Sequence, residues 1–194
     1  MTRKDGLALH VCCAPCFATA QATLRAGAAA TPPVSGIIFY NPNIHPLLEF
    51  RRRVKALRVY LERDPISAEI DDTYGLREFL DQVFSIGGEA PGRRDRCYRC
   101  YLLRLGHTAR LAAGKGFGEF STTLLASREQ DRDLVAEAGR EAARRNGVKF
   151  VEADLRAVLP EEKMLRGIYK QQYCGCIFSE EERYRDTNKH IYMG

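Results

Sequence analysis

The stretch Leu9–Cys16, LHVCCAPC, runs from a short apolar segment into three cysteines within five positions. Leu7 to Val11 reads as a buried strand. Pro15 then suits the first turn of a helix that passes through Gln21 and Leu24 to a stop at Gly27. A buried strand turning directly into a helix is the opening of an α/β unit, and the downstream pattern repeats it. Val34 to Tyr40 is apolar almost throughout, as parallel strands covered on both faces are. Asn41-Pro42-Asn43 breaks that strand, and an arginine-rich helix is predicted from Pro46 to about Arg63. A short strand over Ile66–Ile70, a helix over Gly75–Val83 and a Gly-rich loop at 87–92 follow. Further on come a helix over Tyr98–Gly114, a strand over Phe120–Leu124 and a helix from Arg128 to Asn146, stopped by Gly147. Strand Val148–Val151 and helices near Glu161–Lys170 and Ile177–Arg185 complete the pattern.

Strands alternating with helices predict a doubly wound α/β fold with a mainly parallel five-stranded sheet. The chain is expected to form one domain over 1–194, with a core of about 7–185 and a loose tail at 186–194. In such folds ligands collect outside the carboxyl ends of the strands. The cysteine triplet leaves the first strand at that end.

Bulk properties narrow the function classes. The hydrophobic fraction of 45% and charged fraction of 28% are ordinary for a globular protein. No apolar run is long enough to span a bilayer, and Met1–Gly6 leads straight into a strand too short for a signal-peptide core. A cytoplasmic protein with no membrane partner is the expectation. Of the 30 basic residues 23 are arginine, which suits bidentate contact with phosphate, although a net charge of +5 gives only weak support to a nucleic-acid partner.

Seven cysteines are many for a chain in a reducing compartment, where metal ligation or redox chemistry explains them better than disulfides. They fall into three groups: Cys12, Cys13 and Cys16; Cys97 and Cys100; Cys174 and Cys176. Seven thiols exceed the four that one tetrahedral zinc takes. A 4Fe–4S cluster uses four and leaves three, enough for a further metal ion with an open position. Cys97 and Cys100, placed at a helix mouth, are expected to have thiol pKa values lowered by its positive end. A thioredoxin-like redox pair at Cys97-Tyr98-Arg99-Cys100 is the competing reading. So is burial of one or two cysteines as plain hydrophobes. No GxxxxGK[ST] occurs and no GxGxxG follows a strand, so nucleotide-driven chemistry is disfavoured.

The segments HVCCAPC, FYNPNIHP, CYRC followed by RL, STTL and QQYCGCIFS together resemble the QueH family of epoxyqueuosine reductases, from about Leu7 to Arg183. That resemblance implies a fold similar to the adenine-nucleotide α-hydrolase-like (HUP) proteins. It also implies reduction of epoxyqueuosine to queuosine at the wobble position of tRNA anticodons. The implied cofactors are a 4Fe–4S cluster and an adjacent mononuclear metal, iron or zinc, held in the family by two cysteines and an aspartate. No aspartate lies in the CCAPC segment, and if its place is that of Cys16 a third thiolate stands there instead. Where the family carries a Ser-Pro-His-Lys-like turn after the TTL strand, this chain has Ala126-Ser127-Arg128-Glu129-Gln130. No role of that histidine and lysine transfers.

Within this reading Cys13, Cys97, Cys100 and Cys176 are assigned to the cluster and Cys12, Cys16 and Cys174 to the single metal, because adjacent residues point in different directions. His45, in the loop after the second strand, and Tyr173, beside Cys174, are the catalytic candidates for proton donation or substrate contact. Tyr40, Asn41 and Asn43 are candidates for reading the modified base. Arg93 and Arg94 are candidates for tRNA phosphate contact at the metal mouth. Each has a structural reading beside it: turn chemistry for Asn-Pro-Asn, core packing for Tyr173, a solvated face for the arginines. His10 is expected to be a satisfied core residue. The electron donor is not identified by the sequence. Two other classes remain open, a zinc-bearing tRNA-binding module and a cluster-dependent tRNA sulfur-transfer enzyme.

Overall fold

The computed structural model describes residues 4–85 and 91–185. The chain alternates β1 (Lys4–His10), α1 (Ala14–Arg25), β2 (Val34–Phe39), α2 (Leu47–Arg63), β3 (Ala68–Ile70), α3 (Leu76–Phe84) and α4 (Arg93–Gly114). It continues through β4 (Phe117–Thr122), a 3-10 turn (Thr123–Ala126), α5 (Arg132–Asn146), β5 (Lys149–Phe150), α6 (Glu162–Leu165) and α7 (Ile177–Tyr184). The five strands form one sheet in the order β3-β2-β1-β4-β5, with every neighbouring pair parallel. This is the doubly wound α/β architecture expected from the alternation, consistent with a HUP-like fold. The central strands carry the buried apolar runs, and their side chains pack against helices on either face. No helix among the described residues is long and apolar enough to cross a membrane.

Strand order reverses between β1 and β4, which makes their carboxyl ends the topological switch point where α/β sheets open a crevice. The structure stitches that point with polar contacts. His10 Nδ1 lies 2.7 Å from Thr122 Oγ1 and its Nε2 3.2 Å from the Tyr40 carbonyl. The Cys12 amide donates to Thr123 Oγ1 at 2.9 Å. Burial, with the Arg104 charge nearby, lowers the His10 pKa to about 3, so the ring is a neutral structural bridge.

Several boundaries differ from expectation, and two bear on the site. Helix α4 begins at Arg93 rather than Tyr98, with Gly92 as N-cap and Asp95 in its first turn against the positive end of the dipole. Cys97 and Cys100 therefore lie inside the helix and not at its mouth. The fourth strand ends at Thr122, whose hydroxyl accepts from the Leu124 amide and opens the 3-10 turn. Helix α5 starts only at Arg132 because the Asp131 side chain caps it through Leu134 N. The expected 161–170 helix is one turn, Glu162–Leu165, and Gly167 follows at φ +72°, a left-handed conformation that ends a helical run. The tail at 186–194 and positions 87–90 of the Gly-rich loop lie outside the described residues.

Candidate metal centre

The first thiol group is built by the β1–α1 turn. Cys13 is the extended N-cap of α1, and Pro15 sits in the first turn, where its missing N–H costs no helical bond. The turn brings the sulfurs of Cys12, Cys13 and Cys16 within 4.8 Å of one another, a spacing that can hold a metal ion. Cys12 Sγ lies 3.8 Å from Cys13 Sγ. Thr123 Oγ1 approaches Cys12 Sγ at 3.2 Å, and Gln171 Nε2 donates to Cys13 Sγ at 2.7 Å. Hydrogen bonds from Cys13 and Cys16 lower the Cys12 pKa, while burial pushes Cys13 up to about 12. A soft cation bound by these three sulfurs would displace the thiol protons that hydrogen-bond between them.

The second group is assembled from distant segments. Cys97 and Cys100 are three apart on α4 and so share a face. Cys174 and Cys176 flank Gly175, whose φ of +107° turns the chain so that their sulfurs meet at 3.6 Å. Cys176 is the N-cap of α7, its sulfur accepting from Ser179 N at 3.3 Å. All four line one cavity of about 250 Å³, together with Asn43, Tyr101, Arg104 and Tyr173. The lowering expected at a helix mouth is reversed for the α4 pair: burial raises Cys97 and pushes Cys100 up to about 12. Cys174 is the depressed thiol of this group, lowered to about 6 chiefly by a hydrogen bond from Cys176.

Two buried arginines join the groups. Arg53 pairs with Glu49 at 2.7 Å and donates to the carbonyls of Cys174 at 3.0 Å and Tyr173 at 3.2 Å. Its charge also acts on Cys13. Arg104 donates to Asn41 Oδ1 at 2.6 Å and lies 3.9 Å from Cys100 Sγ. Asn41 Nδ2 in turn holds the Val11 carbonyl, one residue before Cys12, at 2.9 Å.

The donor set fits thiolate-bound metal. Buried side-chain atoms without a partner include Arg104 Nε, Asn43 Oδ1 and Gln171 Oε1. Arg104 and Asn43 line the cavity and Gln171 is bonded to Cys13. Buried polar atoms are normally satisfied, so orphans gathered beside two sets of soft donors mark a place for a further group.

The sequence division placed Cys13 with the cluster thiols and Cys174 with the single-ion thiols. The sulfur positions group them otherwise, Cys13 with Cys12 and Cys16, Cys174 with Cys176, Cys97 and Cys100. Neighbouring Cys12 and Cys13 stay together because the extended N-cap leads into a tight turn. His45 Nδ1 is 2.6 Å from Tyr74 Oη, and Tyr173 Oη donates to the His45 carbonyl at 2.7 Å. Tyr40 donates to Glu78 Oε1 at 2.6 Å and stacks on His107 at 3.7 Å, outside the cavity lining. Asn43 and Arg93 line the cavity, whereas Arg94 is on the surface with Glu137 at 3.3 Å.

Arg53, Arg104, Tyr101 and Gln171 were missed. Helical phase carried a signal for two of them: Arg53 shares a stripe with Phe50, Val54 and Leu57, and Arg104 one with Leu105, Thr108 and Ala112.

Comparison with known proteins identifies the family. A model of the family described as epoxyqueuosine reductase QueH matches residues 7–182. The protein named epoxyqueuosine reductase QueH in Dehalococcoides mccartyi is 33% identical, over 94% of this chain and 96% of its own. Those of Thermotoga maritima and Haemophilus influenzae are 32% and 33% identical, covering 90% and 94% of this chain and 90% and 73% of their own. With a match spanning all three cysteine groups, the chain belongs to the epoxyqueuosine reductase QueH family.

Proposed function

We propose that this protein reduces epoxyqueuosine to queuosine at the wobble position of tRNA, with Cys97, Cys100, Cys174 and Cys176 holding a 4Fe–4S cluster and Cys12, Cys13 and Cys16 an adjacent iron or zinc ion. The observation that carries this is the four-plus-three grouping of seven buried or half-buried thiols, bridged by Arg53 and Arg104. The overall change takes two electrons and two protons, turns the epoxide into an alkene and releases water. When bound, the cluster supplies electrons singly and the ion supplies Lewis acidity toward the epoxide oxygen.

The chain's own residues divide the remaining work. Arg53 and Arg104, both buried, offset the thiolate charge. Tyr101 Oη donates to Gln130 Oε1 at 2.8 Å in the cavity wall, and burial beside the thiols raises its pKa, so it stays a protonated hydroxyl there, placed to hydrogen-bond substrate. Tyr173 and His45 are held by each other's segment and brace the loop carrying Cys174. Asn43 Oδ1, unpartnered in the cavity wall, accepts a substrate donor. Arg93, at the same cavity, and Arg94 on the neighbouring surface meet tRNA phosphate.

Anaerobic purification with iron, sulfide and tRNA-reduction assays tests the reading. Brown protein with cluster stoichiometry and queuosine formation is the expected result. Colourless zinc protein without sulfide overturns it in favour of a tRNA-binding module, and turnover by iron-free protein overturns the redox assignment.

A further inference from the structure

Among the described residues, Arg53 and Arg104 are the only buried arginines or lysines. They are not equivalent. Arg53 has its charge answered by Glu49, which is itself buried and also takes the Tyr169 hydroxyl at 2.5 Å. Arg104, only 3% exposed, has no carboxylate partner among the described residues. One end of its guanidinium meets a neutral amide oxygen of Asn41, another approaches Cys100 Sγ, and Nε has no partner at all. A buried cation with no carboxylate partner and one unmet donor carries a desolvation cost that anionic sulfur in the cavity it lines offsets.

We infer that Arg104 is the fixed cation that sets the reduction potential of the iron–sulfur group held by Cys97, Cys100, Cys174 and Cys176. The inference rests on the functional reading above and adds a positioning residue that acts on the cofactor through charge. Reduction by one electron adds a negative charge to a group surrounded by low dielectric. A guanidinium at contact distance from one ligand sulfur stabilises the reduced form more than the oxidised form and raises the potential. The orphaned Nε–H supplies a further donor for a cluster or ligand sulfur, which acts in the same direction. The Asn41 amide makes the arrangement stiff: it accepts from Arg104 and donates to the Val11 carbonyl, so the cation is tied to the turn that carries the other thiol group.

The test is an anaerobic potentiometric titration of the holoenzyme with dithionite, followed by electron paramagnetic resonance, on three variants. Arg104→Met removes the charge and keeps much of the side-chain length. Arg104→Lys keeps the charge. Asn41→Asp leaves Arg104 in place and sets a carboxylate against it. The expected result is a midpoint shifted to more negative potential in Arg104→Met and Asn41→Asp and close to wild type in Arg104→Lys, at equal iron and sulfide content. An unshifted midpoint in a fully loaded Arg104→Met overturns the inference. If that variant does not take up the cluster, an unshifted Asn41→Asp overturns it instead. Loss of the cluster from both, with retention in Arg104→Lys, makes the charge a condition of assembly and overturns the tuning role. A wild-type protein with no cluster signal overturns the functional reading as well, and so separates the two failures.

Discussion

The two thiol groups reach the same end by opposite routes. Cys12, Cys13 and Cys16 are neighbours in sequence, and one strand-to-helix turn suffices to bring their sulfurs together. Cys97, Cys100, Cys174 and Cys176 come from α4 and from the loop before α7, and they line one cavity, with Arg53 holding the Cys174 carbonyl and Gly175 turning the loop. The first group is a local device and the second a tertiary one. The local group is closely packed sulfur on sulfur, while the tertiary group borders a cavity with room for a larger inorganic body. Damage to long-range contacts should therefore empty the second group and spare the first.

The largest effect is expected from Cys100→Ser. It should abolish sulfide incorporation and tRNA reduction while the protein still retains one metal ion, as read by sulfide assay and elemental analysis. Loss of that ion too would mean that the two groups are a single site. Arg53→Met should come next, because it strips the buried Glu49 of its partner and frees the Cys174 carbonyl. Breaking such a pair costs about 3–5 kcal/mol, seen as a lower denaturation midpoint, and Arg53→Met/Glu49→Gln should recover part of it. Cluster loading should fall in both variants, with the single ion kept.

Gly175→Ala should cost about 1–3 kcal/mol in chemical denaturation, since φ is +107° there. A Cβ would also stand 2.8 Å from the Arg53 guanidinium. Tyr173→Phe should have the smallest effect. It removes the bond to the His45 carbonyl, costs about 1 kcal/mol of stability and leaves kcat for tRNA reduction unchanged. A collapse of kcat with cluster content intact would restore Tyr173 as a proton donor and move the catalytic hydroxyl away from Tyr101.

How much of this was legible beforehand follows the same division. The apolar run of β2, the Pro15 helix start and the Asn146-Gly147 helix stop were plain, because propensity, capping and periodicity act over a few residues. The start of α4 was misplaced because the arginines at 93, 94 and 96 look like a solvated loop, although arginine is a good helix former and Asp95 suits a first turn. The thiols were recognisable as metal ligands from number and spacing, but their partition was not. Cys12 and Cys13 were assigned to different centres on the ground that adjacent side chains diverge, a strand rule, whereas at this N-cap their sulfurs lie 3.8 Å apart. Arg53 was hidden in a run of three arginines, of which only the helical phase distinguishes the buried one.

From residues alone came the alternation of strand and helix, hence a parallel sheet, and the delivery of the first cysteines to its carboxyl edge; these depend on nearest-neighbour sterics and hydrophobic period. The tertiary structure alone decided that Cys174 lines one cavity with Cys97 and Cys100, that Arg104 is buried with no carboxylate partner among the described residues, and that Tyr173 bonds the His45 carbonyl. Such outcomes depend on distances between segments far apart in sequence, 63 positions for Arg104 and Asn41 and more for Cys100 and Cys174, and those distances are settled by packing and charge burial, which no local pattern records.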